Sequence, residues 1–168
     1  MAGLAAVDPG RLGRDEVDAL LERRLIAQLA TTDELGRPHL VSMWFRRDGD
    51  ALLLPTSRHT WKVRNLRANP YAAVVVDESR AGLDLKGVLV RGRAELVEGE
   101  RALRLNRSIH LRYVTSAGLE LEPVAAYLAR GDDVTIRVAM DEVRTWNLTA
   151  TAAGAALAAS GEAYALDR

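Results

Sequence analysis

Short runs of apolar and β-branched residues, separated by turn sequences, recur along most of this chain. They occupy residues 26–32, 38–45, 51–56, 71–77, 86–97 and 133–140. Runs of this length and composition predict β-strands, and the Gly, Asp and Asn residues between the first three predict tight turns. With six predicted strands, the first three joined as a meander, the expected fold is a small antiparallel β-barrel with helical additions.

Segments with helical periodicity lie between and after these runs. Residues 15–24 carry apolar side chains on one helical face, with Asp15 as the predicted N-cap. Further helices are predicted at 60–68, where Pro70 ends the helix, and at 99–114 and 120–130. Residues 148–168 are rich in alanine and offer few bulky side chains. We therefore expect a domain at 1–147 followed by a peripheral helix or loose tail.

The composition excludes several classes of protein. Lysine and arginine total 23, as do aspartate and glutamate, so the chain lacks the basic excess typical of nucleic-acid-binding proteins. With no cysteine, disulfides, thiolate catalysis and zinc–cysteine sites are excluded. No apolar run reaches the ~18 residues of a membrane span. The apolar stretch at the N-terminus is too short for a signal peptide, because an aspartate already follows at position 8. We expect a soluble cytoplasmic protein with no membrane partner.

Sequence motifs of the common catalytic sites are absent. The chain contains no nucleophile-elbow, P-loop, zinc-protease or dinucleotide-binding glycine motif. His39, His59 and His110 are too far apart in sequence for metal-ligand spacing, and we predict no metal site. His110 lies among arginines in a predicted helix, so we expect it on a charged, solvated face.

Residues 54–70 are the most informative segment for function. A strand ends near Thr56 and Ser57, and a helix begins near Thr60 with Lys62 and Arg64 in its first two turns. Cations are unfavourable at a helix N-terminus, where exposed N–H groups already carry partial positive charge. A phosphate bound to those N–H groups, the hydroxyls and the cations would reverse this. From the residues alone, a phosphate site and a pair of solvated cations are equally good interpretations.

Four segments occur in a fixed order along residues 15–147: IAQLATTDELGRPHLVSMWF, LLLPTSRHTWKVRNLRANP, KGVLVRGRAELV and IRVAMDEVRTWN. They resemble the pyridoxamine-phosphate-oxidase-like flavin-binding split barrels, in particular a short branch that includes reductases using the deazaflavin coenzyme F420. The resemblance implies a mainly β fold with flanking helices, namely a six-stranded antiparallel split β-barrel. It also implies a homodimer with the cofactor at the subunit interface.

The resemblance further implies a set of cofactor-binding residues. The strand at 40–43 would bind the ring through its backbone, while hydroxyl groups and Lys62 would bind the phosphate, with Arg64 as a weaker cation. Trp61 would flank the ring or the phosphate linker, and Trp146 would lie near the ring of the neighbouring subunit. The implied set is Val41, Ser42, Met43, Thr56, Ser57, Thr60, Trp61, Lys62, Arg64 and Trp146.

Some of these positions also fit ordinary structural roles. Trp61 is equally suited to anchoring a core or a dimer interface, since buried aromatic residues serve packing first. Met43 and Trp44 alternate along a strand, so we expect only one of them to face the site. Arg91 and Arg93 would face the partner subunit or be ordinary solvated residues of the long strand.

The sequence also departs from the family pattern. Pyridoxamine-phosphate oxidases carry a C-terminal Arg-x-His pair and haem-degrading relatives use a C-terminal histidine. Here no histidine follows Trp146, and no arginine lies between Trp146 and Arg168. We therefore expect an oxidoreductase that transfers hydride between bound FMN or coenzyme F420 and a small organic substrate. Arg46, Arg47 or Arg58 would accommodate the acidic tail of F420. The alternative is a non-catalytic FMN/F420- or haem-binding protein on the same fold.

Overall fold

The chain folds into antiparallel strands arranged around one long central strand, with helices outside them. The computed structural model describes residues 10–80 and 84–160. The strands are β1 (Ala27–Thr32), β2 (Pro38–Met43), β3 (Arg46–Asp48), β4 (Ala51–Ser57), β5 (Tyr71–Arg80), β6 (Asp84–Glu98), β7 (Asp133–Ala139) and β8 (Glu142–Asn147). The helices are α1 (Arg14–Leu21), α2 (Trp61–Ala68), α3 (Gly99–Tyr113), α4 (Ser116–Leu119), α5 (Val124–Leu128) and α6 (Ala152–Ser160), with a 3-10 turn at Leu148–Ala150.

The long strand β6 is shared by two halves of the sheet. The strand order is β2-β1-β5-β6-β7-β4-β3, and β8 also pairs with β6. Residues 84–93 of β6 pair with β5, and residues 86–91 pair on the other side with β8. Residues 94–98 pair instead with β7, which leads on to β4 and β3. The first half-sheet is therefore β2-β1-β5-β6-β8 and the second is β6-β7-β4-β3.

The change of partner along β6 occurs at Gly92. A Cβ atom on Gly92 would lie only 1.8 Å from the carbonyl oxygen of Ala139. Next to it, the Arg93 backbone N–H donates to Asp141 Oδ2 at 2.9 Å. Glycine is required at this position, because any side chain would push the end of β7 away from β6.

The core is one apolar cluster to which both half-sheets and α1 contribute. Val17, Leu20 and Leu21 of α1 are buried in it. Successive side chains of a strand point to opposite faces, so alternate strand residues enter the core and the others lie outside it. The strand members are Ala27, Leu29, Met43, Leu52, Leu54, Ala72, Val74, Val76, Val88, Val90, Ala94, Ile136 and Val138.

The mainly β architecture with flanking helices is confirmed, but the predicted number and order of strands need correction. The described residues form eight strands rather than six, and the sheet is not closed, because β2 and β3 end the strand order. β3 lies partly where the sequence predicts a turn, and β8 follows the last predicted strand. The predicted meander is wrong, since β4 pairs with β7 and not with β2.

Two predicted helices also differ in their ends. α1 has Gly13 rather than Asp15 as its N-cap, and the Glu16 carboxylate accepts a hydrogen bond from the Gly13 N–H at 2.8 Å. The helix predicted at 120–130 is shorter, since α5 begins at Val124, directly after Pro123, and ends at Leu128.

The alanine-rich C-terminal segment contains helix. Residues 148–150 form the 3-10 turn and residues 152–160 form α6, while 161–168 lie outside the described residues. Within the described ranges, none of the helices combines the length and apolar character that a membrane span needs.

Candidate functional site

A cleft of about 590 Å³ opens between the end of β2, the β4–α2 corner and the helices α3 and α5. Most of its lining is apolar or uncharged, and a single lysine supplies the permanent positive charge. The walls are formed by Ile26, Val41, Ser42, Met43, Trp44, Pro55, Thr56, Thr60, Lys62, His110 and Tyr127.

Strand β2 leaves backbone hydrogen-bonding groups free at this cleft. It is an edge strand, paired with β1 alone. In the hairpin between them the Asp33 N–H donates to the Arg37 carbonyl at 3.0 Å, which sets the alternation of hydrogen bonds along the pair. By that alternation, the N–H and C=O groups of Leu40 and Ser42 point away from β1. They are available to a polar ring edge, as they would be to another strand.

The corner between β4 and α2 presents hydroxyl groups and an uncapped helix start. The Oγ1 atoms of Thr56 and Thr60 lie 3.2 Å apart, and Thr60 Oγ1 donates to the Ser57 carbonyl at 3.0 Å. Thr60 is the N-cap of α2, but its side chain accepts no hydrogen bond from the helix, and the first turn holds no acidic residue. The exposed N–H groups of this turn favour a bound anion.

Lys62 places a positive charge beside this helix start. It is half-buried in the cleft wall, and within the described residues its ammonium group has no ion pair or hydrogen bond. Burial lowers the pKa of Lys62, because the charged form loses solvent without gaining a carboxylate. A half-buried cation without a partner is unfavourable, and an anion in the cleft would relieve that cost.

Aromatic residues and a histidine form another wall. The rings of Trp44 and Tyr113 stack with centroids 5.0 Å apart at an angle of 4°. The His110 imidazole meets the edge of Trp44 at 5.8 Å and 70°. Tyr113 Oη donates to the Leu25 carbonyl at 2.7 Å, which fixes the stack relative to β1.

His110 is a wall residue of the cleft and not a solvated helix residue, so the sequence-based expectation for it is wrong. Burial lowers the pKa of His110, and the nearby Asp133 carboxylate opposes this shift only in part. The imidazole is therefore neutral at pH 7, with one N–H donor and one acceptor nitrogen.

The predicted cofactor-binding residues divide into those in the cleft and those outside it. Ser57 lies at the margin, with its Oγ 3.3 Å from Tyr127 Oη. Both Met43 and Trp44 line the cleft, contrary to the prediction that only one would, because β2 ends at Met43 and its alternation stops there. The predicted residues that line the cleft are Val41, Ser42, Met43, Thr56, Thr60 and Lys62.

Three predicted residues lie elsewhere in the chain. Trp61 is 64% exposed, and the Arg64 guanidinium lies over its ring at 5.3 Å from the centroid. Trp146 lies on the face of β8 and β6 that points away from the core, where it packs on Gly87. In the single chain these side chains do not reach the cleft.

A second, cationic cleft of about 500 Å³ adjoins the first at the start of α2. Arg67 pairs with a glutamate of β6 at 2.8 Å, whereas Arg58 and Arg64 have no ion pair within the described part of the chain. Arg46 and Arg47, also predicted to accommodate an acidic tail, lie instead on β3 and pair with aspartates. The lining is Glu34, Arg58, His59, Thr60, Arg64, Arg67 and Ala68.

A family model described as pyridoxamine 5'-phosphate oxidase matches residues 14–147. The chain belongs to this family. That range contains both clefts and all eight strands of the described residues. No protein with curated annotation matches the chain significantly.

Solved structures show how varied the proteins with this family's fold are. A structure named F420 reductase is 31% identical over 75% of this chain and 94% of its own, with a TM-score of 0.61. A conserved hypothetical protein from Mycobacterium tuberculosis is 25% identical over 87% of this chain and 91% of its own, with a TM-score of 0.69. HutZ, the haem storage protein from Vibrio cholerae, shares the fold at 20% identity over 83% and 99%, with a TM-score of 0.63.

Sequence reasoning missed the wall residues that the pyridoxamine 5'-phosphate oxidase fold brings in from distant elements. Tyr127 and Ile26 carry no local signal of such a role. For His110 a signal existed, because Ala102, Asn106 and Ile109 mark the buried face of α3 at helical spacing and His110 adjoins that face.

Proposed function

We propose that this member of the pyridoxamine 5'-phosphate oxidase family is an oxidoreductase that binds coenzyme F420 or FMN in the cleft. It transfers hydride between the bound ring and a small organic substrate. The observation that carries the proposal is Lys62, a half-buried cation without a partner in the described residues, beside an uncapped helix start. The free backbone N–H and C=O of Ser42 in the same cleft add one donor and one acceptor for a ring edge.

The residues present fit a cofactor with a phosphate and a planar ring. The first-turn N–H groups of α2, Thr60 and Lys62 would hold the phosphate, and the backbone of β2 would hold the polar edge of the ring. The bound cofactor supplies two-electron chemistry that no side chain of the cleft provides. Val41, Met43 and Trp44 exclude water from the ring, which protects a hydride from competing reactions.

The second cleft favours F420 over FMN. F420 carries an acidic oligoglutamate tail beyond its phosphate, whereas FMN ends at the phosphate. Arg58 and Arg64 line a cleft that begins at Thr60, which also lines the first cleft. A ligand with its phosphate at α2 would therefore extend an acidic tail along unpaired guanidinium groups.

A homodimer is the proposed functional unit. Leu40, Ala73 and Leu89 point to the face of the first half-sheet opposite the core, and Leu40 is 66% exposed. Trp146 packs on Gly87 on that same face. An apolar sheet face of this kind is typical of an interface, and a second copy packed there would cover Trp146. Light scattering should give twice the 18.3 kDa chain mass.

Parallel titrations with F420 and FMN, followed by quenching of tryptophan fluorescence, test cofactor binding. Trp44 lines the cleft whereas Trp61 is exposed outside it, so Trp44→Phe should remove most of the quenching and Trp61→Phe should retain it. Arg58→Ala should weaken F420 binding by about two- to fivefold, the range of an exposed ion pair, and leave FMN binding unchanged.

Reoxidation of the reduced, loaded protein tests the activity. Menadione or cyclohexenone added to it should restore the absorbance of the oxidised cofactor faster than with free reduced cofactor. Binding without faster reoxidation would indicate a non-catalytic cofactor-binding protein. If neither F420 nor FMN binds, the proposed function is wrong.

A further inference from the structure

His110 occupies a junction between cavities. It lines the main cleft and also a cavity of about 310 Å³ behind it, which is bounded by Leu103, Leu119 and Leu128. The histidine therefore lies where the cleft continues past the phosphate-binding corner into the helical part of the chain.

The ring of His110 is held by its surroundings, although its nitrogen atoms are not. One helical turn earlier, the buried Asn106 donates to Asp133 Oδ1 at 2.7 Å and accepts from Thr135 Oγ1 at 2.7 Å, which fixes α3 against β7. Trp44 packs against the imidazole edge-on. Within the described residues, no hydrogen bond satisfies either ring nitrogen of His110.

The groups around His110 leave it uncharged. Asp133 of β7 is the carboxylate that faces it, and Tyr127 of α5 is the polar neighbour in the cleft wall. Arg107, on its own helix, lines the rear cavity with Glu120. Burial outweighs the attraction of Asp133, so the pKa of His110 lies below its ordinary value and the neutral imidazole offers an N–H donor.

We propose that His110 is a substrate-binding residue of this cleft, and that its N–H donates a hydrogen bond to a carbonyl oxygen of a flat, uncharged substrate. This inference rests on the proposed function, because the cofactor ring would form the remaining wall. The apolar side chains of Ile26, Met43 and Pro55 suit a flat apolar molecule. The cation Lys62 serves the phosphate at the other corner, so a neutral substrate needs no further charge.

Binding of menadione, a flat quinone, to the oxidised, cofactor-loaded protein tests this assignment. His110→Ala should raise the Kd for menadione by about tenfold, the loss of one neutral hydrogen bond, and leave the cofactor Kd unchanged. His110→Gln, which keeps an N–H donor, should recover most of the affinity. Arg104→Ala, which truncates an exposed side chain of the same helix, is the matched control and should have no effect.

Nitrogen-15 resonances of the histidine side chains provide a readout that needs no variant. Menadione should shift the His110 imidazole resonances in the wild-type protein and leave those of His39 and His59 in place. Unshifted His110 resonances, or equal menadione affinity in His110→Ala, would overturn the assignment. A loss of cofactor affinity in His110→Ala would overturn it as well, since it would make His110 a cofactor contact. Cofactor binding is measured first and without menadione, so the two failures are distinguishable. If neither F420 nor FMN binds, the proposed function is wrong, whereas a loaded protein with unshifted His110 resonances refutes only the assignment of His110.

Discussion

Replacing Lys62 with alanine removes the cation from the proposed phosphate site. The side chain has no ion pair or hydrogen bond within the described residues, and its burial already lowers its pKa, so the replacement breaks no polar contact of the described fold. We therefore expect the thermal midpoint to stay unchanged or to rise slightly. The effect should fall on cofactor binding alone.

The expected loss follows from the half-buried position of the ammonium group. A charge-assisted hydrogen bond contributes about 1.5–3 kcal/mol, whereas a fully exposed ion pair contributes roughly 0.2–1 kcal/mol. Lys62 is half-buried in the cleft wall, and the larger range applies. Since each 1.4 kcal/mol is a factor of ten, the Kd for FMN or F420 should rise by roughly 10- to 150-fold.

Comparison of FMN with riboflavin isolates the phosphate. Riboflavin has the same ring and no phosphate, so Lys62→Ala should leave its Kd unchanged while the Kd for FMN rises. Lys86→Ala is the matched control. Lys86 lies on β6, pairs with Glu78 of β5 at 3.3 Å and does not line the cleft. Equal losses for riboflavin and FMN, or no loss for either, would refute the phosphate site at α2.

The remaining predictions concern stability. Hydrogen bonding from Arg23, followed by Lys86, lowers the pKa of Glu78 from an ordinary 4.5 to about 2. The contribution of the ionised Glu78 to folding stability is therefore complete above about pH 4.5 and is lost as the pH falls towards 2. The difference in thermal midpoint between wild type and Glu78→Gln should shrink over that window; a constant difference would contradict it. Gly92→Ala should cost about 3 kcal/mol or more in urea unfolding, because its Cβ would meet a backbone carbonyl at 1.8 Å. Gly13→Ala, with its nearest atom at 3.6 Å, should cost less than about 1 kcal/mol.

The strands that the sequence predicts are those with their own apolar signal. Runs such as the one that forms β5 bury alternate side chains, and their apolar residues predict the strand from the sequence. β3 consists of Arg46, Arg47 and Asp48, which have no such preference. It exists because the apolar strand β4 offers it a partner. β3 therefore forms by pairing with β4 across the turn at residues 49–50, a pairing that its own three residues do not predict.

The candidate site divides in the same way. The corner at Thr56, Thr60 and Lys62 lies within a few residues of sequence, so helix-end electrostatics makes it a candidate anion site from the residues alone, with solvated cations as the equal alternative. The wall containing His110 and Tyr127 requires α3 and α5 to pack back over β4 and β7, which composition does not determine. Hence the sequence indicates a candidate anion site at one corner, and the fold shows which residues lie at the other end of the cleft.

The distribution of charge along the cleft also orients any ligand that has one anionic end. An ammonium group and the free N–H groups of α2 lie at one corner, while a neutral imidazole and aromatic side chains form another wall. A phosphorylated ring bound the opposite way round would bury its phosphate against Trp44 and leave Lys62 without a partner. Each of those mismatches costs free energy, so both disfavour the reversed orientation. In the proposed complex the ring would therefore point towards β2 and α3, and its exposed face would lie within reach of a substrate bound by His110.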